Sequence, residues 1–250
     1  MSGSGDSDLT HDAFLGGRLH LWQPRQGYRA GVDAVLLAAS VQARPGQRVL
    51  DLGCGVGAAI LCLNSRISGL ALTGVELHPP MADLARRNGG EALEVFTADL
   101  ARLPQALRER QFDHVLANPP YYDRAASVRS DDPAREAAHG EGTPLATWVR
   151  VAAKRLAPKG QAHFIHRVER LPDLKRALPD DLGSVEVLPL AARPGRAPDR
   201  VILRARKSGR AAFRLHPALA LHAGAHHESD AKDYVPAVDA VLRAGAALKF

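Results

Sequence analysis

Cysteine is scarce in this 250-residue chain. It occurs twice, as Cys54 and Cys62, which excludes a disulfide scaffold and reads as the thiol usage of the cytosol. Long apolar runs are missing too. None approaches the ~18 residues that a membrane helix needs, so no membrane segment is expected. The opening residues Met1–Asp8 are small and polar, with neither a basic nor an apolar stretch. No secretion signal is therefore expected, and the expected location is the cytoplasm. Internal repeats are absent. With 46% hydrophobic and 24% charged residues, the composition also excludes disorder and collagen-like repeats. What remains is one large α/β domain, or such a domain with a small appendage, long enough to bury a real core.

The net charge of +6 is unevenly placed. Between Arg193 and Arg214 stand eight basic residues and one acid, Asp199, so that stretch carries +7; the remaining 25 basic and 26 acidic residues leave −1. A basic cluster attracts phosphate backbones, and a strand edge protected by charge has the same pattern.

Residues 1–12 are expected to be a flexible terminus. Phe14–Trp22 reads as an extended, glycine-turned segment, and Gly31–Ala43 has a helical stripe (Val32, Val35, Leu36, Ala39) that faces a core. From Arg48 the chain alternates. Strands are expected at 48–52, 70–76, 93–97, 112–117, 161–166, 184–190 and 200–205, with helices at 58–66, 79–88, 103–110, 144–156 and 171–178. This rhythm predicts a mostly parallel seven-stranded sheet with helices on both faces. Only 191–199 separates the last two strands, too short for a crossover helix, so they should form an antiparallel hairpin at the sheet edge. Residues 119–142 are polar and long enough for a mobile substrate loop. The domain is expected to span 13–210 with a head segment at 13–46. Residues 211–250 form a tail of uncertain role, with one weak helix at 235–248.

Val49-Leu-Asp51-Leu-Gly53-Cys-Gly55-Val-Gly57-Ala58 is an apolar strand running into glycines and then a helix. Glycines permit close backbone approach to a ligand, and the new helix offers free N–H groups. Glu76 ends the second strand 21 residues after Gly55, placed to accept from ribose hydroxyls. The pattern fits NAD or S-adenosylmethionine. Asp51 completes Asp-x-Gly-x-Gly-x-Gly, which resembles motif I of class I methyltransferases more than a dehydrogenase. Thr97-Ala-Asp99 ends the third strand, where that family places an acid near the cofactor's adenine amine. Asp99 equally suits a helix N-cap.

Asn118-Pro119-Pro120-Tyr121 follows the fourth strand, and open α/β sheets bind ligands beyond the carboxyl ends of their strands. A planar amine is a poor nucleophile because its lone pair is delocalised. Two acceptors aimed at its N–H bonds favour a pyramidal nitrogen and stabilise the charge that methylation creates. The Asn118 side-chain oxygen and the Pro119 carbonyl can supply them, and the prolines preorganise both. Tyr121 offers a face for stacking.

Together these motifs resemble the "methyltransferase small" group of class I methyltransferases, a Rossmann-like fold. Within it, the head segment Gln23-Pro-Arg-Gln-Gly-Tyr-Arg-Ala-Gly-Val-Asp-Ala-Val-Leu-Leu-Ala-Ala39 is similar to the start of the bacterial valine-tRNA adenine-N6 methyltransferases. The resemblance spans about Phe14 to Arg206. It implies S-adenosylmethionine-dependent N6-methylation of an adenine in RNA, in the anticodon loop of a tRNA. It implies that Gly53, Gly55 and Gly57 cradle the cofactor, with Asp51 and Asn118 beside it, that Glu76 holds the ribose and Asp99 the adenine. Asn118, Pro119, Pro120 and Tyr121 would hold the target base. Arg29 and Asp33 match the head motif without an assigned contact. Two alternatives stay open: a protein-glutamine N5 methyltransferase, since glutamine's amide is also a planar amine, and an NAD-dependent oxidoreductase.

Parallel strands end on the ligand side, so Arg193, Arg196 and Arg200 in the loop after residue 190 are expected near the mouth, contacting RNA. No metal is expected: His222, His226 and His227 lack ligand spacing and read as surface residues. Cys54 reads as packing, Trp148 as core, and Tyr122 as a second stacking ring or a residue of the sheet rim. Asp131, Asp132, Arg135 and Glu136 read as a solvated loop.

Overall fold

The apolar run Arg48–Leu52 forms a central strand, β3, in the computed structural model, which describes residues 8–121, 143–224 and 233–250. Val49 faces one core and Leu50 and Leu52 the other, the double burial that parallel sheets impose. Strands β4 (Ala71–Glu76), β5 (Leu93–Thr97), β6 (Phe112–Ala117) and β7 (Leu156–Arg167) run parallel to it in the order β5-β4-β3-β6-β7. One face is covered by α1 (Val32–Ser40), α2 (Ala58–Arg66), α3 (Pro79–Gly89) and α7 (Pro236–Ala244); the other by α4 (Gln105–Arg108), α5 (Leu145–Arg155) and α6 (Leu171–Ala177).

The expected closing hairpin is present at the β7 end of the sheet. Strand β8 (Leu182–Ala191) pairs antiparallel with β9 (Pro198–Lys207), and β9 also pairs antiparallel with β7. The later strand is thus inserted between β7 and β8. The short link after β8 forces β9 to be its neighbour, and the α6 crossover sets β8 one place further out, leaving that gap. Two short strands, β10 (Arg214–Leu215) and β11 (Leu219–Ala220), then run parallel along the outer side of β8, extending the expected seven strands to nine among the described residues. Charge protection of an exposed edge is therefore not what the β9 cations provide. Arg204 bonds Glu186 at 2.8 Å and Lys207 bonds Asp181 at 2.5 Å.

Helix α4 is shorter than the expected 103–110. Pro104 caps its start, and the Arg155 guanidinium takes the carbonyls of Leu107 within it and Arg110 just beyond it, at 3.1 and 3.2 Å. The chain also orders earlier than expected, because Leu9–Phe14 is a strand, β1, paired antiparallel with β2 (Leu19–Pro24). His11 stacks on Trp22 at 4.4 Å, and Asp12 accepts from Arg29 at 2.6 Å and from Gln23 at 2.9 Å. At the turn, Gly16 has φ 66°, and a Cβ there would lie 2.7 Å from the Arg243 carbonyl. Glycine thus lets the end of α7 close on the hairpin, where Arg18 donates to the Ala244 carbonyl at 2.5 Å. The described tail is fastened further by Leu248 N–H to the Ala39 carbonyl at 2.8 Å. Among the described residues no helix is long and apolar enough to cross a membrane.

Candidate active site

Register brings the motifs together. Leu52 pairs with Val75 on one side and Ala117 on the other, so Gly53, Glu76 and Asn118 leave the sheet side by side at its carboxyl end. Gly53, Gly55 and Gly57 all have positive φ, at 63°, 56° and 85°. Gly53 has a second reason to be glycine: a Cβ would meet the Trp148 ring at 2.4 Å. Trp148 is core, as expected, and it also roofs this turn. At Gly55 a Cβ would meet nothing nearer than the Met81 methyl at 4.0 Å, so this backbone faces open space where a ligand can approach.

Glu76 is held ready. Its Oε2 accepts from Gly55 N–H and its Oε1 from His78 N–H, both at 2.9 Å, and each oxygen keeps a lone pair for a hydroxyl. Leu77 beside it is 48% exposed, an apolar surface at the mouth. Asp51 is buried, accepts from Ile60 N–H in the first turn of α2, and has its pKa pushed up to about 8, first by burial and then by Glu76. Cys54 lies against Gly74, where a Cβ would sit 2.7 Å from its sulfur, and burial lifts its thiol pKa well above the usual range. It packs, as expected. Asp99 caps the 3-10 turn Leu100–Arg102, accepting from Ala101 N–H at 2.8 Å. Open backbone at Gly55, a fixed carboxylate at Glu76 and an apolar Leu77 suit the ribose and adenine of S-adenosylmethionine.

Asn118 is half-buried, and its Nδ2 donates to the Tyr28 hydroxyl at 3.5 Å, leaving Oδ1 available as an acceptor. Tyr28 is 45% exposed. Desolvation at its hydroxyl end, with the charges of Asp33, Asp51 and Glu76, pushes its pKa up to about 12, so it is a neutral group beside Asn118. Tyr121 donates to Asp33, which also accepts from Arg200. His166, buried at the end of β7, lies with its ring centroid 5.2 Å from that of Tyr121, and its Nε2, lacking a well-formed hydrogen bond, interacts with the Pro120 carbonyl.

The basic residues expected at the mouth separate. Arg200 reaches the site through Asp33, not as a free cation. Arg193 is engaged by Asp233 at 2.7 Å and by the Ala223 carbonyl. Arg196 is exposed. His222 bonds Asp233 at 2.7 Å and stacks on Tyr234 at 4.6 Å. Arg29 braces the head, bonding Asp12, Thr10 and the Pro24 carbonyl. Tyr122, Asp131, Asp132, Arg135, Glu136, His226 and His227 lie outside the described residues, as does most of the expected substrate loop. Tyr28, His166 and Asn88 carried no expectation. Asn88 ties β2 to the glycine loop, through Trp22 N–H at 2.8 Å and the Val56 carbonyl at 3.0 Å. A cavity of about 360 Å³ opens at the opposite end of the strands, beside Arg48, Ala71 and Phe112, and holds none of these motifs.

Residues 49–129 match a family model described as a methyltransferase domain. The tRNA1(Val) (adenine(37)-N6)-methyltransferase of Shewanella halifaxensis is 31% identical over 191 residues, covering 74% of this chain and 76% of that one. The enzyme of the same name from Porphyromonas gingivalis is 28% identical, covering 76% and 79%. Among solved structures, a predicted O-methyltransferase from Agrobacterium tumefaciens superimposes with TM-score 0.70 at 27% identity, covering 86% of this chain and 98% of that one. The T. thermophilus 16S rRNA N2 G1207 methyltransferase, solved with AdoMet and guanosine, shares the fold at TM-score 0.55 and 21% identity, covering 80% and 50%.

Proposed function

This chain belongs to the family of the tRNA1(Val) (adenine(37)-N6)-methyltransferases, and we propose that it methylates the exocyclic amine of an adenine in the anticodon loop of a tRNA. The observation that carries this reading is the register that sets the Asn118–Tyr121 turn beside the glycine loop. When bound, S-adenosylmethionine supplies an electrophilic methyl group. Gly53, Gly55 and Gly57 would hold it against open backbone, Glu76 would take the ribose hydroxyls, and Asp99 the adenine beside its capping role. Asn118 Oδ1 and the Pro119 carbonyl accept from the two N–H bonds of the incoming amine. That draws its lone pair out of conjugation and stabilises the positive nitrogen as the bond forms. The proton leaves after transfer, so no strong base is needed. Tyr121 stacks on the base, worth roughly 1–3 kcal/mol, and a single-stranded loop makes that base cheap to splay out.

A nicotinamide oxidoreductase would leave Asn118–Tyr121 without a task. Glutamine's planar amide still suits the same acceptors. Incubating the purified chain with labelled S-adenosylmethionine and either unmodified tRNA or a peptide-release factor separates the two. Label in the tRNA is expected; label in the protein alone overturns the RNA reading. Of the three arginines expected at the mouth, Arg196 is the one offered to RNA. Arg196→Ala should weaken tRNA binding and flatten its salt dependence.

A further inference from the structure

Methyl transfer itself does not require the Tyr121 hydroxyl, yet that hydroxyl is tightly engaged. Asp33 stands in the first turn of α1, where the helix N-terminus favours a carboxylate. Its Oδ2 accepts from Tyr121, and its Oδ1 accepts from Arg200 near the start of β9. The Asp33 and Arg200 side chains are 18% and 22% exposed, so these charge-assisted bonds are partly sheltered from water. The Arg167 guanidinium lies 5.9 Å over the Tyr121 ring and the His166 ring 5.2 Å from it. The ring is thus held at its hydroxyl end, with Arg167 over one face and His166 tilted against it.

On the reading that Tyr121 stacks on the acceptor base, we propose that Asp33, itself held by Arg200, is a positioning residue that fixes the plane of the Tyr121 ring and so sets the affinity for that base. A tyrosine in a turn has two rotatable side-chain bonds, and a single anchor at the hydroxyl removes most of that freedom before the base arrives. Anchors on α1 and β9 join the head segment and the inserted strand to the acceptor turn. Arg200 serves Asp33 in this arrangement, not an RNA phosphate.

Three variants test this: Asp33→Ala, Tyr121→Phe and the two together. Each single change should raise the KM for unmodified tRNA about tenfold, alter kcat less, and leave S-adenosylmethionine affinity unchanged. The double variant should be no worse than either single one, because both remove the same bond. A folded Asp33→Ala with unchanged KM, or effects that multiply in the double variant, overturns the proposal. If Asp33→Ala fails to fold, Asp33→Leu, which keeps most of the side chain's size and carries no acceptor, replaces it with the same expected and contrary results. A second arm needs no substrate. In protein labelled with ring-¹³C tyrosine, the Tyr121 resonance, identified by its loss in Tyr121→Phe, should shift on Asp33 substitution while that of Tyr234 stays in place. An unmoved Tyr121 resonance overturns the positioning role. If the wild-type chain transfers no methyl group to RNA, the acceptor reading fails, and this spectrum alone decides whether Asp33 positions the ring.

Discussion

Asn118 has to present an oxygen to an amine while its own amide nitrogen is engaged elsewhere, and Tyr28 takes that nitrogen at 3.5 Å. Asn118→Ala removes the acceptor without touching the glycine loop. Turnover in a single-turnover assay should fall roughly 10²–10³-fold, while calorimetric affinity for S-adenosylmethionine stays nearly intact. Asp51 makes a prediction of the opposite kind. Its pKa is raised to about 8 in the folded chain, so between the ordinary carboxylate range and about pH 8 the folded state keeps a proton that the unfolded state releases. Stability therefore falls as pH rises through that window. Asp51→Asn, which can still accept from Ile60, should gain thermal stability over the wild type as pH rises, and parallel melting curves at acid and alkaline pH check it. The glycines, Glu76 and Asn118 were legible because their spacing is local. Tyr28 stands in the head motif without a role that the sequence reveals, since no spacing rule links that loop to the end of β6.

At the scale of elements, the glycine loop is gripped from two sides. Trp148 on α5 closes over Gly53, and Asn88 at the end of α3 joins it to β2. Asn88→Ala would leave the backbone groups of Trp22 and Val56 without that partner, at a cost of about 1–3 kcal/mol. The expected outcome is a lower melting temperature together with weaker S-adenosylmethionine binding; unchanged cofactor affinity would separate the head from the cofactor loop. The parallel strands and their order of motifs followed from apolar runs alternating with helical stripes. The place of β9 did not, because the short link fixes its neighbour β8 and says nothing of its other side. The strand Leu9–Phe14 was hidden as well: it is stabilised by cross-strand stacking of His11 on Trp22, a pairing that local polarity does not reveal.

For the molecule as a whole, the excess positive charge turns out to be substantially internal. Arg193, Arg200, Arg204 and Lys207 each meet an acid from another part of the chain, which a count of charges along the sequence cannot foresee. Among the described residues three histidines are also buried, His114, His163 and His166. His114 and His163 face each other at 3.3 Å, with Gln47 at one end and Ser40 at the other. Burial lowers the pKa of His114 and His166 to about 4, and that of His163 well below its usual value. Below the ordinary histidine range the unfolded chain binds protons that the folded chain refuses, so stability present near neutrality is lost as pH falls toward 4. Urea midpoints should drop steeply over that interval, and less so in a folded His163→Gln variant. A flat profile would mean that these histidines are charged when folded.

Methylation of an adenine amine at this site is tested most directly by nucleoside mass spectrometry. Unmodified tRNA incubated with the chain and S-adenosylmethionine is digested and its nucleosides are weighed, beside an Asn118→Ala control. N6-methyladenosine formed by the wild type and nearly absent from the control is the predicted result. No methylated adenosine, or equal amounts from both proteins, would contradict it.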